Sequence, residues 1–94
     1  MTVAFEDRVV ASSKVLYKDV AGEAVLLDLA TETYFGLNAA GARCWQLLTT
    51  APSVRDAFEV LVEEYDVAPD ELRRDLDALI DELLERGLLD VAHA

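Results

Sequence analysis

The spacing of apolar residues along this chain changes once, near residue 38, from an alternating period to a helical one. In the alternating part, Lys14–Val20 is rich in branched and aromatic side chains, and Ala21-Gly22-Glu23 makes a turn before Ala24–Leu29. Val25, Leu27 and Leu29 then form one wholly apolar face, while Ala24, Leu26 and Asp28 form a mixed one, as expected of a half-buried sheet. Ala30-Thr31-Glu32 turns the chain into Thr33–Leu37, with Phe35 and Leu37 on one face and Tyr34 and Gly36 on the other. Three short, tightly linked strands predict an antiparallel meander, the first opening near Val9 or near Val15.

From Asn38, a good N-cap, Gly41, Cys44, Trp45 and Leu48 follow at helical spacing, which predicts a helix buried through Cys44 and Trp45 and ending at Thr50-Ala51-Pro52. Ser53 caps a second helix, with Asp56 at the capping-box position and one stripe of Val54, Ala57, Phe58, Leu61, Val62 and Tyr65. Pro69 opens a third, supported by Asp70 and Glu71 at the positive end of its dipole, with the stripe Leu72, Leu76, Leu79, Ile80, Leu83, Leu84. Gly87 stops it, Leu88 and Leu89 return to the core, and the tail from Asp90 to Ala94 is expected to fray. The expected fold is therefore α+β: a three-stranded antiparallel sheet followed by three helices, an order shared with winged helix-turn-helix domains. At 94 residues it is one domain spanning 1–94, with an ordered core over about 9–91.

Charge narrows the partners. The net charge is −11, with 6 acids and 4 bases in residues 1–50 against 13 acids and 4 bases in residues 51–94. That balance repels phosphate backbones and anionic membranes. As a DNA-recognition element, the third helix would present seven acids and three arginines to a polyanion, which is the wrong sign. No apolar run approaches a membrane span, the amino terminus shows no export signal, and a single cysteine fits a reducing compartment, so a soluble cytoplasmic monomer or weak dimer is expected.

The inventory for catalysis is thin. His93 is the sole histidine and sits beside the last residue, Cys44 lies on an apolar helix face, and Asp81, Glu82 and Glu85 read as a solvated face. The glycines show no phosphate-binding pattern, and no metal-ligand spacing occurs. No catalytic residue, metal site or cofactor is expected. What stands out is the third strand, Thr33–Leu37: the last strand of a meander lies at an edge, carries no charge here, and can pair with another extended chain. The competing expectation is that the N-terminal segment or a second copy covers it.

Leu27-Asp28-Leu29, Tyr34-Phe35-Gly36-Leu37-Asn38, Gly41-Ala42-Arg43-Cys44-Trp45, Asp75-Leu76 with Leu79-Ile80 and Leu83, and Gly87-Leu88-Leu89 together resemble the PqqD-like family. These are leader-peptide recognition elements of ribosomally made, modified peptides. The resemblance covers roughly Val15 to Val91 and looks most like the free-standing recognition protein of lasso-peptide pathways. It implies a precursor leader peptide added as a fourth strand beside the third, in a cleft with the third helix. It also implies separate processing enzymes, a leader peptidase and a cyclase, and no catalysis by the chain itself. Carried onto this sequence, the peptide-binding residues are Thr33, Tyr34, Phe35, Gly36 and Leu37 on the strand and Leu72, Asp75, Leu76 and Leu79 on the helix. The alternatives are a peptide carrier of pyrroloquinoline-quinone biosynthesis working with a radical enzyme, or a small structural dimerisation module.

Overall fold

The computed structural model describes residues 3–92. In chain order the elements are β1 (Arg8–Ala11), β2 (Val15–Val20), β3 (Glu23–Asp28), β4 (Thr33–Leu37), α1 (Ala39–Thr50), α2 (Val54–Glu64), α3 (Pro69–Glu85) and β5 (Leu89–Ala92). The expected meander is β2-β3-β4, antiparallel throughout, and three helices follow it. Both candidate starts for the first strand turn out to be strands: the one near Val15 joins the meander, and the one near Val9 pairs elsewhere.

Each connection in the meander has a local cause. Between β2 and β3, Ala21 and Gly22 both have positive φ, 55° and 87°, the geometry of the two-residue turn whose twist matches that of the flanking strands. The Asp19 carboxylate accepts from the Gly22 N–H at 3.2 Å and holds the turn. Between β3 and β4, Asp28 Oδ1 accepts from the Ala30 N–H at 2.9 Å and the Thr31 N–H at 3.4 Å. These backbone donors, Ala30 first, hold the Asp28 carboxyl below its ordinary range, so an acid sits ionised at a position that is only 6% exposed.

That acid identifies the buried face of the sheet, which alternation alone leaves open. The face that looked wholly apolar, Val25, Leu27 and Leu29, is the outer one, and the mixed face of Ala24, Leu26 and Asp28 is buried. Leu26 is fully buried opposite Tyr17 and Phe35, and Ala24 opposite Leu37. Alternation marks two faces, and helix coverage with a satisfied carboxylate decides which of them is inside.

α1 lies across this inner face, packing on β1, β3, β4 and α2, with Ala42, Cys44, Trp45 and Leu48 buried. The Asn38 and Ser53 side chains cap α1 and α2 as expected, accepting from the N–H groups of Gly41 and Asp56. A bidentate pair from Arg43 to Glu64 joins α1 to α2. α3 packs on α2 and β5 through Leu72, Leu76, Ile80 and Leu83. It ends in a Schellman turn, with Leu88 N–H bonded to Leu83 C=O and Gly87 N–H to Leu84 C=O, while Gly87 has φ +74°.

The expected frayed tail is corrected by the structure. Leu89–Ala92 forms β5, which pairs antiparallel with β1 in the register Arg8 to Ala92 through Ala11 to Leu89. The sequence cue was weak because β1 and β5 are four residues each and far apart in the chain. Residues 93–94, including His93, lie outside the described residues. Ahead of β1, the carbonyls of Phe5 and Asp7 accept from the Arg55 and Val54 N–H groups, satisfying orphan donors in the first turn of α2. The Phe5 ring lies between the Arg55 and Arg73 guanidinium groups, 4.6 and 3.7 Å from its centroid, and meets Phe58 edge-on at 5.4 Å.

Two stability predictions follow from this packing. Trp45, 4% exposed at the centre of the core, should cost about 3–5 kcal/mol when truncated to alanine, measured by denaturant melts. Ala21→Asn replaces a residue strained in the left-handed region with one that tolerates it, and should raise stability by about 1 kcal/mol in the same assay.

Candidate functional site

A three-stranded sheet has two outer edges, and here they differ. Along β2 the edge carries Lys18 and Asp19, with Lys14 just before the strand, and charged side chains discourage pairing with another chain. Along β4 the edge is Thr33, Tyr34, Phe35, Gly36 and Leu37, with no charge and no partner strand among the described residues. The N-terminal segment, one of the two expected covers, is occupied elsewhere: it packs on α2 and α3 and then pairs with β5.

Three depressions lie along this edge. One of about 430 Å³ is open and lined by Val20, Val25, Gly36, Leu37 and Asn38 with their neighbours, and one of about 360 Å³ lies between the start of α1 and the middle of α3. Asn38, Ala40, Gly41 and Cys44 form one wall, Leu72, Asp75, Leu76 and Leu79 the other, and Tyr65 and Val67 contribute from the end of α2 and the loop beyond. Gly41 matters for its closure: a Cβ there would stand 3.2 Å from Leu37 Cδ2 and 3.3 Å from Asn38 Oδ1, so glycine lets the first turn of α1 sit against the end of β4. The third, about 240 Å³, lies at the other end of β4 and is lined by Thr33, Tyr34 and Phe35 with Arg86 and Leu88. There the Arg86 guanidinium covers the Phe35 ring at 4.9 Å.

The nine expected site residues therefore fall into two groups joined through the length of β4. Leu72, Asp75, Leu76 and Leu79 share one wall as their helical spacing required, but Leu76 at 1% and Leu72 at 8% exposure are its floor, whereas Leu79 is half-buried and Asp75 exposed at the rim. On the strand, Tyr34 is 72% exposed on the outer face, Thr33 and Gly36 are open, Phe35 is half-buried and Leu37 belongs to the core. Sequence reasoning missed the opposite wall. Asn38 was assigned only a capping role, Cys44 and Tyr65 only a packing one, and Val67 and Arg86 no place in the site. The shared stripe of Gly41 and Cys44 was the available signal, but it cannot distinguish a residue facing the core from one facing a gap beside it.

The electrostatics are simple. Burial, with the Asp75 carboxylate adding to it, pushes the Cys44 thiol above its ordinary range. Asp75 is the one charged side chain lining the depression between α1 and α3, which is otherwise mostly apolar. Among the described residues no group of three or more His, Cys, Asp or Glu side chains gathers as a metal site would require, and no helix is long and apolar enough to cross a membrane.

A meander backed by helices, with one uncharged free edge beside an apolar groove, is a class of small domain that leaves strand backbone open to pairing. The chain belongs to the PqqD family: the model for coenzyme PQQ synthesis protein D matches residues 23–89, a span running from β3 to the start of β5. Two solved structures are similar over nearly their whole length. One is TbiB1 in complex with the TbiA(beta) leader peptide, 34% identical with a TM-score of 0.81, covering 90% of this chain and 98% of that one. The other is lasso peptide synthetase B1 complexed with the leader peptide, 28% identical with a TM-score of 0.80, covering 88% and 98%. Among curated proteins no relative matches.

The Cys44 environment gives a direct check on the groove. As a mostly protonated, 9% exposed thiol, it should react with a disulfide reagent at pH 7.5 at least ~10-fold more slowly than in the urea-unfolded chain.

Proposed function

We propose that this chain binds the leader segment of a ribosomally synthesised precursor peptide and presents it to separate processing enzymes. The leader adds as a strand to the free edge of β4, and its side chains reach the groove walled by Leu72, Asp75, Leu76 and Leu79. The observation that carries this reading is the uncharged, unpartnered β4 edge flanked by an apolar groove. The two solved relatives, each in complex with a leader peptide, support it. Main-chain pairing supplies affinity with little sequence preference, and pockets for alternate side chains supply selectivity. A complex of micromolar to nanomolar affinity needs about −8 to −12 kcal/mol. Ordering a flexible leader takes roughly 2–5 kcal/mol from the gross interaction, so apolar anchors in the groove carry much of the binding.

On this reading the chain is not an enzyme, works in the cytoplasm, and acts in trans on a precursor cleaved by a leader peptidase and closed by a cyclase. The match to the PQQ synthesis protein D model favours a second reading, a peptide carrier serving a radical enzyme of quinone-cofactor synthesis. The two differ in the peptide bound, so titration with a lasso-type leader and with a quinone-cofactor precursor separates them.

Amide exchange is the clearest test. Adding leader should slow exchange in Thr33–Leu37 and along the Leu72–Leu79 face more than in α2, and protection centred on Val54–Glu64 instead would refute the placement. In calorimetry, Leu79→Asp should weaken leader binding by at least ~10-fold, about 1.4 kcal/mol. Glu63→Ala, on the exposed face of α2, should leave it unchanged. Leu79 is half-buried, so circular dichroism of the variant has to match the wild type. Bound leader should further slow Cys44 modification. Turnover of precursor by the purified chain alone would sink the non-enzymatic reading.

A further inference from the structure

The backbone of β4 can pair with an incoming strand but does not choose its direction or register. The two-residue turn at Ala21 and Gly22 makes Val20 and Glu23 a hydrogen-bonded pair, so by alternation Ala24, Leu26 and Asp28 bond toward β4 and engage Leu37, Phe35 and Thr33. Tyr34 and Gly36 are left with their N–H and C=O groups turned to the free edge. Two such residues can pair with a strand running either way, and a slip of two positions keeps every side chain on its own face. Nothing on Thr33–Leu37 resolves the ambiguity, because no residue there is charged.

Charges on α3 do resolve it. Asp75 and Arg86 are eleven residues apart, about three turns, so both side chains leave the same side of the helix. They stand at opposite ends of the β4 edge: Asp75 lines the depression that contains Asn38, the residue after Leu37, and Arg86 lines the one formed with Thr33, Tyr34 and Phe35. Both are exposed. Asp75 makes no ion pair among the described residues, and exposed Glu71, one turn earlier, adds to the negative end. Arg86 is held over the Phe35 ring and meets Glu82 at 3.6 Å, an exposed pair of the kind that contributes little and is readily exchanged for a better one. Asp28 lines the same depression, but its Oδ1 is occupied by the Ala30 and Thr31 N–H groups. The lengths agree as well. Leader side chains opposite Thr33 and Leu37 are four positions apart, about 13 Å, on the face the groove receives. Asp75 and Arg86 are about 16 Å apart along α3, a difference that long side chains span.

We propose that these two opposed charges set the direction and register of the added strand. A basic side chain of the leader lies against Asp75 at the Leu37 end, and an acidic one about four positions away lies against Arg86 at the Thr33 end. The proposal rests on the function proposed above and names the charge pattern its ligand carries. A strand entering the other way round brings like charges together at both ends, and one slipped by two positions leaves both unmet.

The test uses the full chain and the leader peptide of its own precursor, in the native form and in a form with that basic and that acidic residue exchanged. Asp75→Lys adds two charges and Arg86→Glu removes two, so the double variant keeps the net charge of −11 and isolates position from total charge. By calorimetry the wild-type chain should bind the exchanged leader at least ~10-fold more weakly than the native one. The double variant should reverse that order and bind the exchanged leader within about threefold of the wild-type complex, which also shows that it has folded. A double variant that binds native leader within about twofold of wild type would overturn the proposal and leave the proposed function intact. So would a weakened variant that the exchanged leader does not rescue, or a bound leader with no such pair of charges. A wild-type chain that binds no leader would overturn both.

Discussion

The antiparallel ladder between β1 and β5 is the closure on which the rest of the structure depends. It ties residues 8–11 to residues 89–92, and each strand is in turn anchored to a helix. The Schellman turn at Gly87 fixes the path from α3 into β5, and the Phe5–Arg55–Arg73 cluster fixes the path from α2 and α3 into β1. α3 is thereby held at both ends, with Pro69 starting it and the ladder receiving it. Its distance from α1 is set before any ligand arrives, and the groove between them is a gap in a finished structure. A preformed groove places the entropic cost of association mainly on the incoming segment.

The same ladder explains why one sheet edge is left open. A chain of this size has few strands with which to cover exposed backbone, and β1 is the segment nearest in sequence that could have extended the meander. By pairing with β5 it becomes unavailable, so β2 and β4 each keep an unpaired side. At β2 the exposed backbone is guarded by charge. At β4 it is not, and Gly36 leaves it less covered still, since nothing lies within 4 Å of where its Cβ would be. Unprotected edges invite aggregation unless a partner uses them, so the asymmetry between the two edges is itself an argument about function.

Much of this fold was legible in the sequence because its signals are local. Asn38, Ser53 and Pro69 mark helix starts and Gly87 a stop, and the change of period at residue 38 separates sheet from helices. What was not legible depends on partners distant in the chain. β5 was read as a frayed tail because four residues have no periodicity to speak of and their partner lies some eighty positions away. Which face of β3 is buried was not legible, because Asp28 looks like a surface residue until its backbone donors are counted. The α3 wall of the groove followed from the family resemblance together with helical spacing, whereas the α1 wall did not, because facing a cavity and facing a core leave the same apolar stripe.

Arg8 and Ala92 are direct partners in the ladder, while residues 3–7 run on from β1 onto α2, where Val3 is buried. The strand that closes the domain is therefore also the one that leads out of it, from the two-stranded sheet and not from the three-stranded one. A polypeptide fused beyond β5 would start from that small sheet and leave the β4 edge free to pair.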